Sequence, residues 1–279
     1  MTVETRITEA GITEAGIAEA GPRRPSEQGS VPVSAPGEAR VRLIRAAEVL
    51  FAERGLDGVS LREITAAADV GNSSAIQYHF GDRSGLVRAV LAKHHPAVEA
   101  RRHALLDQYE ADGAEELRTL TGALVRPLAA ELDNSDGGAG YLQVMSELAS
   151  APRPVLSSAS IEDPGDSTYR WRALVEPLLT PEAVRLHRRF TAVQFTLTEL
   201  ARRGRDERVR DDRPPDDLGG GASTRTTPTR NAPTRTAPSR DDRLFTSHLV
   251  DLVTALLAAP VSEETLRLAR CRAARTRTS

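Results

Sequence analysis

The sequence predicts an all-α protein with a small N-terminal three-helix unit and a larger C-terminal helical domain. Aromatic residues make up only 4% of the 279 residues, so Leu, Val, Ile and Ala must build the core. Ala and Leu are strong helix formers, whereas β-rich chains lean on aromatic and β-branched residues. Apolar residues recur at helical spacing, as in Leu43, Ala47, Leu50 and Phe51. Gly and Pro punctuate these stretches where helices must stop.

Residues 1–37 read as a disordered arm. Three near-identical pentads start at Ile7, Ile12 and Ile17, and Pro22, Pro25, Pro32 and Pro36 follow. A five-residue period suits neither helix nor strand, and repeated Gly opposes helix. Arg23 and Arg24 leave DNA contact open as a second reading of the arm. The first helix then runs from Glu38 to Arg54, with Gly55 just past its end.

Ser60-Leu-Arg-Glu63 is a capping box that opens a second, short helix, and Val59 and Ile64 form a hydrophobic staple across it. Leu61, Ile64 and Ala68 make its buried face. Asp69-Val70-Gly71 is the turn, with Gly71 expected to supply the positive φ. Asn72 or Ser73 caps a third helix over 73–79, with Ile76 and Phe80 facing inward. Two short helices across a tight turn have helix-turn-helix geometry, in which the second helix enters the DNA major groove. The candidate DNA-binding residues are Arg62, Asn72, Ser73, Ser74, Gln77, Tyr78, His79 and Arg83. Hydroxyls and amides suit phosphates and base edges, and Gln pairs bidentately with adenine. Gly81-Asp82 caps the next helix, whose Arg83 is placed to reach a phosphate.

The helix-turn-helix domain is assigned to 38–95 because Pro96 is expected to break the helix. Later helices are expected over 97–111, 114–133, 139–150, 167–179, 181–204 and 242–259. They form a helical domain over 96–262, interrupted by a mobile Thr/Arg/Pro-rich loop at about 205–241. Residues 263–279 read as a flexible tail. The loop reads as a solvated spacer, although its Arg225, Arg230, Arg235 and Arg240 could attract nucleic acid.

Net charge is −2, so a DNA-binding surface has to be local. The single cysteine, Cys271, excludes an internal disulfide and a Cys-cluster zinc site. With no apolar run of membrane-spanning length and no secretory signal pattern, a cytoplasmic protein with no membrane partner is expected. No Gly-rich phosphate loop in strand–helix context, G-x-S-x-G or HExxH occurs, so neither an enzyme nor a cofactor is expected. His94, His95, Glu99 and His103 carry metal-ligand types, but Pro96 is expected to separate them. They read as a solvated face or pocket wall, and no metal is assigned.

The motifs Ile44-Arg-Ala-Ala-Glu-Val-Leu-Phe-Ala-Glu-Arg-Gly55, Val59-Ser-Leu-Arg-Glu-Ile64 and Tyr78-His-Phe-Gly-Asp-Arg83 with Leu86-Val87 occur in order. Together they resemble the DNA-binding domain of the TetR (tetracycline repressor) family, over about residues 38–95. The chain departs from that pattern by one added residue between Val70 and Phe80. It also has Gln77, followed by Tyr78, where the family often has a phosphate-binding Tyr.

The resemblance implies a C-terminal domain that binds a small-molecule effector and dimerises. Tyr141, Met145, Trp171 and Phe195 are the candidate pocket residues, and ordinary core packing accounts for each equally well. Two apolar stripes could form a homodimer interface or simply close the monomer core. One contains Val184, His187, Phe190, Val193, Leu197 and Leu200. The other contains Phe245, Leu249, Leu252, Val253, Leu256 and Leu257. The expected function is a sequence-specific regulator of a double-stranded DNA operator, acting as a ligand-responsive dimeric repressor. The alternative is a helical protein-interaction module with weak or vestigial DNA binding.

Overall fold

The computed structural model describes residues 36–71, 74–113, 116–151, 165–211 and 240–275. The expected N-terminal arm, most of the Thr/Arg/Pro-rich loop, Asn72 and Ser73 lie outside them. Among the described residues all regular structure is helical.

Helix α1 covers Pro36–Arg54, α2 Leu61–Ala67 and α3 Ala75–Phe80. Gly55 ends α1 at φ +73°, with its N–H bonded to Phe51 O at 2.9 Å. The capping box at Ser60 is formed in both directions: Glu63 N donates to Ser60 Oγ, and Ser60 N donates to Glu63 Oε2. Val59 and Ile64 are buried in one cluster with Leu43, Phe51, Ile76 and Leu86. The left-handed residue of the turn is Asp69, at φ +50°, and not Gly71. Asp tolerates this conformation because its short side chain bonds locally.

Helix α4 runs unbroken over Arg83–Asp112, with Pro96 inside it. The expected break at 95/96 is absent. A proline removes one helical hydrogen bond and crowds the preceding turn, but both sides of this helix are packed. Val90 and His94 are buried before Pro96, and Val98 and Arg102 after it. Helix α5 covers Leu117–Ala129, α6 Gly138–Ser150 and α7 Ser167–Val175, and a 3-10 turn follows α7 at Glu176–Leu178. The helix expected over 181–204 is two. α8 covers Pro181–Arg185, His187 turns at φ +56°, and α9 covers Arg188–Asp211. α9 therefore extends into the segment expected to be a loop. α10 covers Arg240–Ala258, and α11 covers Glu263–Arg275, where a flexible tail is expected from sequence.

Two hydrophobic clusters organise these helices. The larger joins α4, α5, α6, α7, α9 and α10 around Trp171, Tyr141 and Leu124. The smaller is the helix-turn-helix core, and Val144 and Leu148 of α6 complete it. α6 thus belongs to both cores. It approaches α1 closely through its glycines: a Cβ on Gly140 would collide with the Glu48 carbonyl, and one on Gly137 with the Glu48 carboxylate.

Candidate nucleic-acid interface

The outer face of α3 is polar and open. Ser74, Gln77 and Tyr78 are exposed, and Tyr78 is 80% exposed, far more than a large aromatic ring ordinarily is. Beneath it, Ala75 and Ile76 are buried and fix the helix to the core. His79 is half-buried and meets Tyr78 edge-on, with ring centroids 4.9 Å apart. Ser74 takes the position before α3 but makes no side-chain cap bond. On α2, Arg62 is exposed, whereas Arg54 is held by Glu63 at 2.7 Å. The Ser60 amide, the Ser60 hydroxyl and Arg54 hold the Glu63 carboxyl down to about 2.

Arg83 does not present itself to a phosphate. Its Nη1 donates to Val59 O at 2.7 Å and its Nη2 to Leu56 O, while the guanidinium lies 5.6 Å over the Phe51 ring. It fastens the loop between α1 and α2 onto α4. From the opposite side, Leu56 N donates to the Glu147 carboxylate of α6 at 2.7 Å. A Cβ on Gly55 would strike that same carboxylate.

Behind the interface lies a buried ionic junction that the sequence does not announce. His94 of α4 is 2% exposed. Its Nε2 lies 2.9 Å from Glu48 of α1, and its Nδ1 lies 2.9 Å from Glu131, just past α5. Both carboxylates are 1% exposed. Burial opposes the charge on His94, but the bonds to Glu131 and Glu48 outweigh it and raise the imidazole to about 9. Lys93 reaches Glu48 at 2.8 Å, and Arg101 reaches Glu131 at 2.9 Å. The reading of His94 as part of a solvated face or pocket wall is therefore corrected to a buried ion. Continuous α4 does bring His95, Glu99 and His103 onto one face, and Asp166 approaches His95 and Glu99. The Glu99 carboxylate is already engaged by Ser167 N at 2.8 Å, Ser167 Oγ at 2.6 Å and Arg102 at 3.2 Å. No metal is assigned to it.

The four candidate pocket residues share the larger cluster. Tyr141 and Trp171 are fully buried within it, and Met145 and Phe195 pack at its edge. The Trp171 indole N–H is satisfied by Leu120 O at 2.8 Å. Of the stripe residues, Leu197, Leu200, Leu249, Val253 and Leu257 are buried in the monomer core. Phe190 at 48% and Leu252 at 42% remain exposed, and so does Leu244, outside the stripes, at 70%. Among the described residues no single helix is long and apolar enough to cross a membrane.

Residues 43–90 match the model of "Bacterial regulatory proteins, tetR family". The match spans α1 through the first part of α4. No curated protein matches the chain in sequence. Among solved structures, the multidrug binding protein EbrR complexed with imidazole is 19% identical, with a TM-score of 0.37 over 81% of this chain and 93% of its own. RolR in complex with resorcinol is 20% identical, with a TM-score of 0.38 over 82% and 97%. A structure described under control of antibiotic production by bacterial hormones is 18% identical, with a TM-score of 0.38 over 80% and 98%. At these values the likenesses carry no argument about ligand or mechanism, and the assignment rests on the N-terminal match. Residues 43–90 therefore carry an N-terminal domain of the kind found in the tetR family of bacterial regulatory proteins.

Proposed function

We propose that the protein is a cytoplasmic, ligand-responsive repressor that binds a two-fold DNA operator as a homodimer. α3 is the helix that enters the major groove. The observation that carries this reading is the face of α3, where Gln77 and an 80% exposed Tyr78 project from a helix anchored by buried Ala75 and Ile76. An exposed ring and amide on a rigid support fit phosphate and base-edge contacts. Arg62 adds a cation beside them, whereas Arg83 acts as a clasp within the scaffold. Exposed Phe190, Leu244 and Leu252 on α9 and α10 are the surface offered to a second copy.

Ligand response is supported by the continuity of the scaffold. α4 belongs to both halves, and Glu147 and His94 tie α6 and α4 to the helix-turn-helix. A dimer needs its two α3 helices about 34–36 Å apart. A ligand that changes the tilt of α4 would weaken both half-sites together.

The test is selection of bound duplexes from a random pool, followed by mobility shifts on the winning sequence. The expected outcome is a palindromic site with half-sites one helical turn apart. Affinity should fall steeply between low and moderate salt. Gln77→Ala with Tyr78→Ala should abolish specific binding while leaving the fold intact. If this double variant keeps its sequence preference, α3 is not the reading helix. Absence of duplex binding at low salt would instead favour a protein-interaction module.

A further inference from the structure

Among the described residues, Arg102 Nε and the Tyr141 hydroxyl are buried donors with neither a hydrogen bond nor an ion pair. Arg102 is 3% exposed. Its Nη1 donates to Ser167 Oγ at 2.8 Å, Thr168 Oγ1 at 3.1 Å and Glu99 Oε1 at 3.2 Å. Its Nε is buried without a hydrogen-bond partner, and so is the hydroxyl of Tyr141. Folded interiors pair nearly all such groups, and an unpaired one calls for an explanation in strain, function or a missing partner.

The two donors belong to one neighbourhood. His94, Val98 and Arg102 follow at four-residue spacing and are all buried, so they line one face of α4. The Tyr141 ring of α6 stacks on His94, with centroids 5.1 Å apart and planes at 26°. Burial pushes the Tyr141 hydroxyl above its ordinary range, and the charges of Arg102, Glu131 and Glu99 all act on it. Glu99 is pinned by the Ser167 amide and hydroxyl, and it in turn holds Arg102 by one end of its guanidinium.

The charge of Arg102 is already matched by Glu99. What is unspent is therefore an N–H and an O–H, with no net charge left over. The surrounding cluster, with Val98, Leu106, Leu142 and Trp171, is apolar. The complement of that arrangement is an oxygen acceptor on an apolar body. We propose that Arg102 and Tyr141 are the recognition end of a ligand site among α4, α6 and α7, for an apolar small molecule presenting a neutral carbonyl oxygen. The proposal rests on the ligand-responsive reading above and adds the chemical class. Tyr141 also gives occupancy a route to the DNA-binding half, because its ring lies on His94, which contacts Glu48 of α1.

The test uses the full chain and the fluorescence of Trp171, its one tryptophan. Trp171 lies on α7, whose Ser167 and Thr168 accept from Arg102. Acetophenone and propiophenone carry a carbonyl acceptor on a ring, and ethylbenzene carries none. At least one acceptor probe should give a saturable change, with ethylbenzene roughly tenfold weaker or worse. Tyr141→Phe and Arg102→Lys should each lose that preference. Tyr141→Phe should leave the melting temperature unchanged or higher, because it removes a buried hydroxyl with no partner.

A melting temperature lower by about 3 °C or more in Tyr141→Phe would show that the hydroxyl is already bonded, for instance to trapped water, and overturns the proposal. So does equal response to ethylbenzene, an acceptor preference that survives in both variants, or no saturable response to either acceptor. Mobility shifts in parallel separate this from the regulator reading. A probe that binds through Tyr141 without weakening operator binding sinks ligand-responsive repression and leaves the site standing. Operator release that is equal in wild type and both variants does the reverse.

Discussion

The head formed by α2 and α3 and the junction of α1, α4 and α6 are fastened in opposite ways. The head is held by neighbours in sequence: Ser60 with Glu63, Arg54 with Glu63, and Asp82 with Gly85 N. Its polar groups are solvated, and it keeps its outer surface open. The junction is held by partners far apart in the chain, such as Glu48 with His94, His94 with Glu131, and Leu56 with Glu147. Its charges are buried, so each depends on the others. A surface bound by local caps can change its exposed residues at small cost in stability. A buried ion pair that loses one member leaves an uncompensated charge in a low-dielectric interior.

That contrast predicts an order of effects on stability. The largest is His94→Leu, which removes the buried cation shared by two buried carboxylates and leaves Glu48 to Lys93 and Glu131 to Arg101. It should cost about 3–5 kcal/mol in denaturant unfolding, and a loss near zero would place His94 outside the junction's support. Next comes pH. Folding raises the His94 pKa from 6.5 to about 9. Its contribution is therefore complete below pH 6.5 and is lost as pH rises through 9, by about 3 kcal/mol in all. Wild-type stability should decline over that window, and His94→Leu should flatten the decline. If both proteins decline alike, other groups set the alkaline limit.

Gly140→Ala follows, because its Cβ would meet the backbone of Glu48 rather than a yielding side chain. Overpacking of that kind should cost about 1–3 kcal/mol, readable as a drop in denaturation midpoint. The smallest is Ser60→Ala in the head, at about 1 kcal/mol for a lost cap. If Ser60→Ala exceeded Gly140→Ala, the contrast between the two regions would be reversed.

The same contrast explains what was legible in the sequence. The capping box, the Gly55 stop, the Asp82 cap and the buried Ile76 are set by residues within a few positions of one another, and all were readable. The positive φ was misplaced onto Gly71 because glycine is the usual bearer, whereas here Asp69 bears it. Pro96 signalled a break because local sterics disfavour it in a helix, but burial on either side of it overrides that preference. Likewise, helical periodicity alone cannot stop a helix at His187. Glu48, Glu131 and Glu147 carried no signal, since a Glu on a helix ordinarily reads as surface. Of the glycines at 137, 138 and 140, only Gly140 faces the backbone of another helix, and that is visible only in the folded chain. Arg102 and Tyr141 became notable only once the tertiary structure showed what they lack.

The presence of Val144 and Leu148 in the helix-turn-helix core has a practical consequence for anyone cutting this chain. A fragment ending at residue 95 would remove those two side chains, the Glu147 acceptor for Leu56 and the Glu131 partner of His94. The α2–α3 head is therefore not a portable module, and swapping it between relatives means carrying α6 along. Substitutions on α6 bear on the stability of the α2–α3 head, which makes that helix a natural place to look for compensating mutations.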